Sequence, residues 1–145
     1  MSSLIVRGGR PLKGRIIPSA NKNAVLPILC ATLLTDEPVI LRGVPDITDA
    51  NQILGLFRAL GSEVDLDPET RVLRLRHGGA GGASAARLPE GMRSSIMLIP
   101  PMIARFGEAR IEGEVKGCTL GVREIDPHIE VFQTFGAEIA GEEGA

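Results

Sequence analysis

Apolar residues recur at two spacings along this chain, and each spacing predicts a different element. Between Thr48 and Gly61 they fall at Ala50, Ile53, Leu54, Phe57 and Leu60, one face of a helix. Thr48 is expected to cap that helix and Gly61 to stop it. A first helix is expected from near Asn23 to Leu34, its start set just before Pro27, which is tolerated in an opening turn. A third is expected from about Met92 to Phe106, bent at Pro100-Pro101, and a fourth from the cap-and-proline pair Asp126-Pro127 to Gly136. Short strand-like runs lie at Leu4–Val6, Arg15–Ile17, Pro38–Leu41, Ala109–Glu112 and Ala137–Ala140. Glu63–Leu66 and Arg71–Leu75 predict a hairpin turning at Asp67-Pro68. Gly78–Ala86 and Glu114–Arg123 read as glycine-punctuated loops.

The two halves echo each other. Leu54, Phe57, Leu60, Gly61, Glu63 and Val64 match Ile129, Phe132, Phe135, Gly136, Glu138 and Ile139 at an offset of 75. Glu37 and Ile40 match Glu108 and Ile111 at an offset of 71, so the second copy has gained about four residues, where the Cys118 loop lies. Generic amphipathic similarity is the plainer explanation. A helix–strand–helix–strand unit used twice instead predicts a repeated α/β (α+β) architecture.

Composition narrows the function classes. With 43% hydrophobic and 23% charged residues, the 145-residue chain is expected to fold as one domain or part of a larger one. A net charge of −2 gives no broad phosphate-binding surface, and the absence of Trp and Tyr leaves few stacking platforms, so no nucleic-acid partner is expected. The apolar stretches Val25–Leu34 and Ile96–Ile103 fall short of the ~20 residues of a spanning helix and contain proline. Met1–Gly14 holds no apolar run of signal-peptide length. A soluble, cytoplasmic protein is therefore expected. Cys30 and Cys118 make no disulfide framework, and His77 and His128 stand alone, so neither a metal nor a cofactor is expected.

Three expected helix starts carry polar or cationic residues: Lys22 and Asn23, then Arg93, then Arg123 and Asp126 with His128 one turn in. A helix N-terminus attracts anions, and a cation there does nothing for the helix. These residues are either scattered surface charges or a site for phosphate and carboxylate groups. Cys30, inside Leu29-Cys30-Ala31-Thr32-Leu33, reads as a packing residue. Cys118, flanked by glycine and by Lys116 and Arg123, reads either as a plain loop cysteine or as a nucleophile or proton donor. His77 reads as a solvated turn residue.

These residues carry a resemblance. Ser19-Ala20-Asn21-Lys22-Asn23-Ala24-Val25-Leu26-Pro27-Ile28-Leu29 resembles the S-G-x-K-N-A-x-L-P-I-L opening of the UDP-N-acetylglucosamine 1-carboxyvinyltransferases, the enolpyruvyl transferases of peptidoglycan synthesis. Arg93-Ser94-Ser95-Ile96 resembles their R-x-S-I segment. Gly117-Cys118-Thr119-Leu120-Gly121-Val122-Arg123, with Asp126 and His128, resembles their G-C-x-I-G-x-R-P-x-D-x-H loop. The three motifs occur in order between about Leu4 and Gly144, over what would be the first third of a family member.

The resemblance implies two domains, each an inside-out α/β barrel of repeated βαβαββ units around a shared cleft. Residues 1–21 would be strands of the second domain, and 22–145 two partly incomplete units of the first. It implies transfer of enolpyruvate from phosphoenolpyruvate to the 3′-hydroxyl of UDP-N-acetylglucosamine, without metal, by addition and then elimination of phosphate. Cys118 would be the catalytic cysteine, protonating the methylene carbon or assisting product release, and the one alkylated by fosfomycin. Lys22 and Arg123 would hold the phosphate of phosphoenolpyruvate; Asn23, Arg93, Asp126 and His128 would contact the nucleotide sugar or order the loop. This piece is expected to be inactive by itself, because the cleft needs its second wall. Ala20, Lys116, Glu124 and Pro127 depart from the family's pattern. Glu124 would lie near a diphosphate, which leaves a non-catalytic nucleotide-sugar binder as one alternative and the sister enzyme of shikimate 3-phosphate as another.

Overall fold

The computed structural model describes residues 4–9, 11, 13–78, 93–110 and 126–140. Helix α1 spans Lys22–Thr32. Its cap is Asn21, whose side-chain oxygen accepts the Asn23 N–H at 2.7 Å. Pro27 lies inside the helix, beyond the opening turn where it was expected. It sits on the exposed side, so water can reach the Asn23 carbonyl that it leaves without a donor.

Strand β1 (Val39–Arg42) leads into α2 (Thr48–Ala59), then β2 (Glu63–Leu66) and β3 (Val72–Arg76). Thr48 is the first helical residue of α2, not its cap; Ile47 holds the cap position and makes no side-chain cap bond. Ile47 packs against the core, and that burial outweighs the preference for a hydroxyl at the helix start. The sheet order is β1-β3-β2, with β3 antiparallel to both neighbours. Alternation puts Val39–Leu75–Val64 and Leu41–Leu73–Leu66 in two apolar rows across one face. Phe57, Ile53 and Leu54 of α2 join Leu26, Leu29 and Cys30 of α1 in the core on Leu73 and Leu75. The result is a mixed layer of helix and sheet.

The β2–β3 turn forms as its sequence predicts. Asp67 Oδ1 accepts the N–H groups of Glu69 at 2.9 Å and Thr70 at 3.0 Å. Those donors, Thr70 foremost, hold the Asp67 carboxyl below its usual range. Arg71 takes a left-handed φ of 55°, costly for a side chain with a Cβ. It is held there from both ends, since its Nε donates to the Val44 carbonyl at 2.8 Å and its carbonyl accepts the Val44 N–H at 3.1 Å.

Arg93–Leu98 forms a 3-10 helix and Ile99–Phe106 the α-helix α3, in place of one bent helix. Helix α4 spans Asp126–Thr134, with Asp126 already inside it. The repeat is visible in how α2 and α4 end. After α2, the N–H groups of Leu60, Gly61 and Ser62 bond the carbonyls of Leu56, Arg58 and Phe57. After α4, those of Phe135, Gly136 and Ala137 bond Val131, Gln133 and Phe132, the same three bonds 75 residues on. Gly61 and Gly136 are both left-handed, at φ 81° and 91°.

Four expected strands fare otherwise. Leu4–Val6 and Arg15–Ile17 form none; Leu4 is 89% and Ile16 90% exposed, so no neighbouring strand or core fixes them. Residues 137–140 also form none, and Ile139 stays half exposed. At Ala109–Glu112 only Arg110 is placed in a bridge, while 111 and 112 lie outside the described residues. So does most of the expected loop after Gly78.

His77 is a core residue, not a solvated one: it is 2% exposed, edge-on to the Phe57 ring at 4.8 Å. The Thr32 hydroxyl donates to the Leu29 carbonyl at 2.6 Å, so it must accept from His77 Nε2–H at 2.9 Å. Nδ1 then accepts from Ser62 Oγ at 2.8 Å. Burial and the nearby Arg105 push the His77 pKa down to about 4, against a weaker pull from Asp36.

Arg105 of α3 closes the same corner. Its Nη1 donates to the carbonyls of Leu33 at 2.9 Å and Thr35 at 3.4 Å. Its Nη2 reaches Asp36 Oδ1 and the carbonyls of His77 and Gly78.

Two outcomes are expected. Because the unfolded imidazole titrates near 6.5 and the folded one near 4, stability is full above about pH 6.5 and falls as the pH drops toward 4. Urea unfolding at a series of pH values should show this slope, on the order of 3 kcal/mol across the window, and His77→Gln should flatten it. Arg105→Ala should lower the unfolding free energy by about 2–3 kcal/mol, with Arg105→Lys recovering less than half, because one ammonium cannot span both segments.

Candidate functional site

Lys22 and Asn23 occupy the first turn of α1, and both are exposed. Capping requires only the backbone N–H of Asn23, so its side chain is not spent on the helix. The Lys22 ammonium reaches across to the first turn of α2, where Asp49 Oδ2 lies 2.6 Å away. The N-terminal turns of α1 and α2 therefore lie side by side. Two helix starts, whose dipoles favour an anion, meet at that corner with one lysine and the carboxylate that pairs with it.

Asp126 and His128 share the first turn of α4, both exposed. At the repeat's offset of 75, His128 stands where α2 has Ile53, a side chain with 0% exposure. A core isoleucine in one copy is thus an exposed imidazole in the other, which leaves His128 available to a ligand. Arg93 is placed by its backbone alone, at the first residue of the 3-10 helix. At the offset of 71 it stands in sequence where α1 has Lys22, so a cation opens a helical segment in each, an α-helix in one and a 3-10 helix in the other. Cys118 and Arg123 lie outside the described residues. The structure brings Lys22 beside Asn23, and Asp126 beside His128.

Cys30 behaves as a packing residue. It is 3% exposed, and burial pushes its thiol up to about 11. Among the described residues, an apolar groove of about 330 Å³ lies between α1 and α3, and a polar cavity of about 440 Å³ is bordered by Asp36, Glu63 and His77. Neither is lined by Lys22, Asn23, Asp126 or His128. Among the described residues, no group of three or more His, Cys, Asp and Glu could hold a metal ion, and no helix is long and apolar enough to cross a membrane.

Sequence reasoning missed Asn21 and Asp49. Asn21 carried a signal, an Asn just before a helical run. Asp49 carried none, because an acid in a first turn is ordinary complementarity to the helix dipole.

Comparison with known proteins places the chain in a family. Residues 6–145 match the model of EPSP synthase (3-phosphoshikimate 1-carboxyvinyltransferase), and the chain belongs to that family of enolpyruvyl transferases. Among solved structures it is similar to the enolpyruvyl transferase NikO from Streptomyces tendae, at 23% identity and a TM-score of 0.51. The match covers 68% of this chain and 23% of NikO, so the chain spans well under half the length of that relative.

Asn21→Ala should lower stability by about 1 kcal/mol in chemical denaturation, whereas Asn23→Ala should leave it nearly unchanged. Equal losses would move the cap to Asn23.

Proposed function

We propose that this chain is part of an enzyme that transfers enolpyruvate from phosphoenolpyruvate to the 3′-hydroxyl of UDP-N-acetylglucosamine, a committed step of peptidoglycan synthesis. The carrying observation is the exposed Lys22 ammonium at the paired first turns of α1 and α2, within a chain whose family performs enolpyruvyl transfer. The three motifs shared with the UDP-N-acetylglucosamine enzymes support the choice of acceptor. In this reading the cytoplasmic protein needs no cofactor and binds only its two small substrates.

Lys22 and Arg123 hold the donor's phosphate. The Cys118 thiol gives its proton to the methylene carbon as the sugar hydroxyl adds to the neighbouring carbon and loses its own proton to a base. Phosphate then leaves the tetrahedral adduct, its growing charge met by the two cations, and the methyl group returns a proton to the Cys118 thiolate, which regenerates both the double bond and the thiol. Asn23, Arg93, Asp126 and His128 bind the nucleotide sugar or order the Cys118 loop.

Two further parts of the reading concern architecture. Residues 22–145 form two units of an inside-out barrel, a view supported by the matching ends of α2 and α4. Residues 1–21 belong with a second domain, which agrees with the exposure of Ile5, Val6 and Ile17 here. A second acceptor has one observation in its favour: the matching family model is described by shikimate 3-phosphate chemistry.

Phosphate release by the full gene product, measured with each acceptor in turn, decides between them. Release with UDP-N-acetylglucosamine is expected, reduced about 100-fold or more by Cys118→Ala. Release with shikimate 3-phosphate alone, or none with either, overturns the reading. Residues 1–145 alone should show no turnover. A fosfomycin-type epoxide should add mass to Cys118 and not to Cys30, read by peptide mass spectrometry.

A further inference from the structure

Lys22 opens a helix, where its charge opposes the positive end of the helix dipole. A lysine so placed ordinarily swings free in water. Here it is tied: Nζ lies 2.6 Å from Asp49 Oδ2, and the two side chains are 53% and 25% exposed. The acid is the better-buried partner and the amine the accessible one. The other acid near the start of α2, Asp46, is occupied elsewhere, accepting from Asn51 at 2.9 Å and lying 4.0 Å from Arg71. The second copy keeps the charge pattern in sequence, with Arg93 at the Lys22 position, offset 71, and Glu124 at the Asp49 position, offset 75.

We propose that Asp49 is a positioning residue for anion binding at Lys22: its carboxylate holds the ammonium at the joined first turns of α1 and α2, where an incoming phosphate meets it already in place. The inference rests on Lys22 being the ligand of phosphoenolpyruvate, as proposed above. Two effects follow, of opposite sign. Holding the flexible lysine before the ligand arrives removes much of the rotamer freedom that binding would otherwise have to suppress. The carboxylate also competes with the ligand's phosphate for the same ammonium. Removing its charge therefore frees Lys22 to attract the donor but loses the placement that stabilises the leaving phosphate.

The test uses the full gene product with Asp49→Asn, Asp49→Glu and Lys22→Gln, each checked for an unchanged thermal midpoint. Asp49→Asn should lower kcat about tenfold or more while KM for phosphoenolpyruvate stays level or falls by up to about threefold. Asp49→Glu, which restores the charge, should recover most of kcat. A kcat within about twofold of the parent for Asp49→Asn overturns the proposal. So does a joint loss of kcat, donor affinity and thermal midpoint, the mark of a structural role. Calorimetry with phosphoenolpyruvate separates the two layers of the argument. If Lys22→Gln binds the donor as well as the parent does, or the parent does not bind it, the role of Lys22 falls and that of Asp49 with it. If Lys22→Gln loses binding while Asp49→Asn matches the parent in every parameter, only the role of Asp49 falls.

Discussion

A buried layer of helix and sheet has to close its polar edges, and here one guanidinium closes the most demanding of them. Where α1 gives way to β1, the carbonyls of Leu33 and Thr35 turn inward without helix partners; where β3 ends, those of His77 and Gly78 do the same. Arg105, arriving from α3 about 70 residues later in the chain, meets both sets and the Asp36 carboxylate. Only a planar fork of several donors can serve two backbone segments at once. Directly beneath it, His77 bridges Thr32 of α1 and Ser62 at the start of β2. Arg105 thus joins the first copy of the repeat to the second, while His77 ties α1 to the start of β2 within the first.

The positions of α1 and α2 matter because the candidate site is built from helix beginnings. At the opposite end of α1 from the Arg105 corner, the first turns of α1 and α2 lie close enough for Lys22 to pair with Asp49. The core supplies the rigidity: Leu26 and Leu29 on α1 meet Ile53, Leu54 and Phe57 on α2, and packing of that density leaves the helix ends little freedom. Duplication then reuses the device. The ends of α2 and α4 share three hydrogen bonds and a left-handed glycine, while the face that is core in α2 carries an exposed His128 in α4. A repeated scaffold can thus keep its turn chemistry and turn a packing position into an exposed polar one.

Much of this was legible from residues alone. Helical spacing in α2 and the Asp67 turn were read correctly because both are local: a 3.6-residue period and an aspartate whose carboxylate reaches N–H groups two and three residues on. Cys30 was legible as a packing residue from its aliphatic neighbours. The errors share one cause, which is distance along the chain. Leu4–Val6 and Arg15–Ile17 have the composition of strands, yet a strand exists only beside a partner. His77 follows Arg and Leu in alternation and precedes glycines, so it reads as a turn; Thr32, 45 residues earlier, makes it a core residue.

By itself the sequence determined the helices and the hairpin, the packing role of Cys30 and the family in which to look, since these reside in periodicity, spacing and short motifs. Only the tertiary structure decided that Ile47 holds the cap position of α2, that His77 is neutral and buried, and that Lys22 faces Asp49. The physical reason is that capping, desolvation and ion pairing depend on which groups meet in space. Residues 27 positions apart in the chain, as Lys22 and Asp49 are, meet only once α1 and α2 have packed.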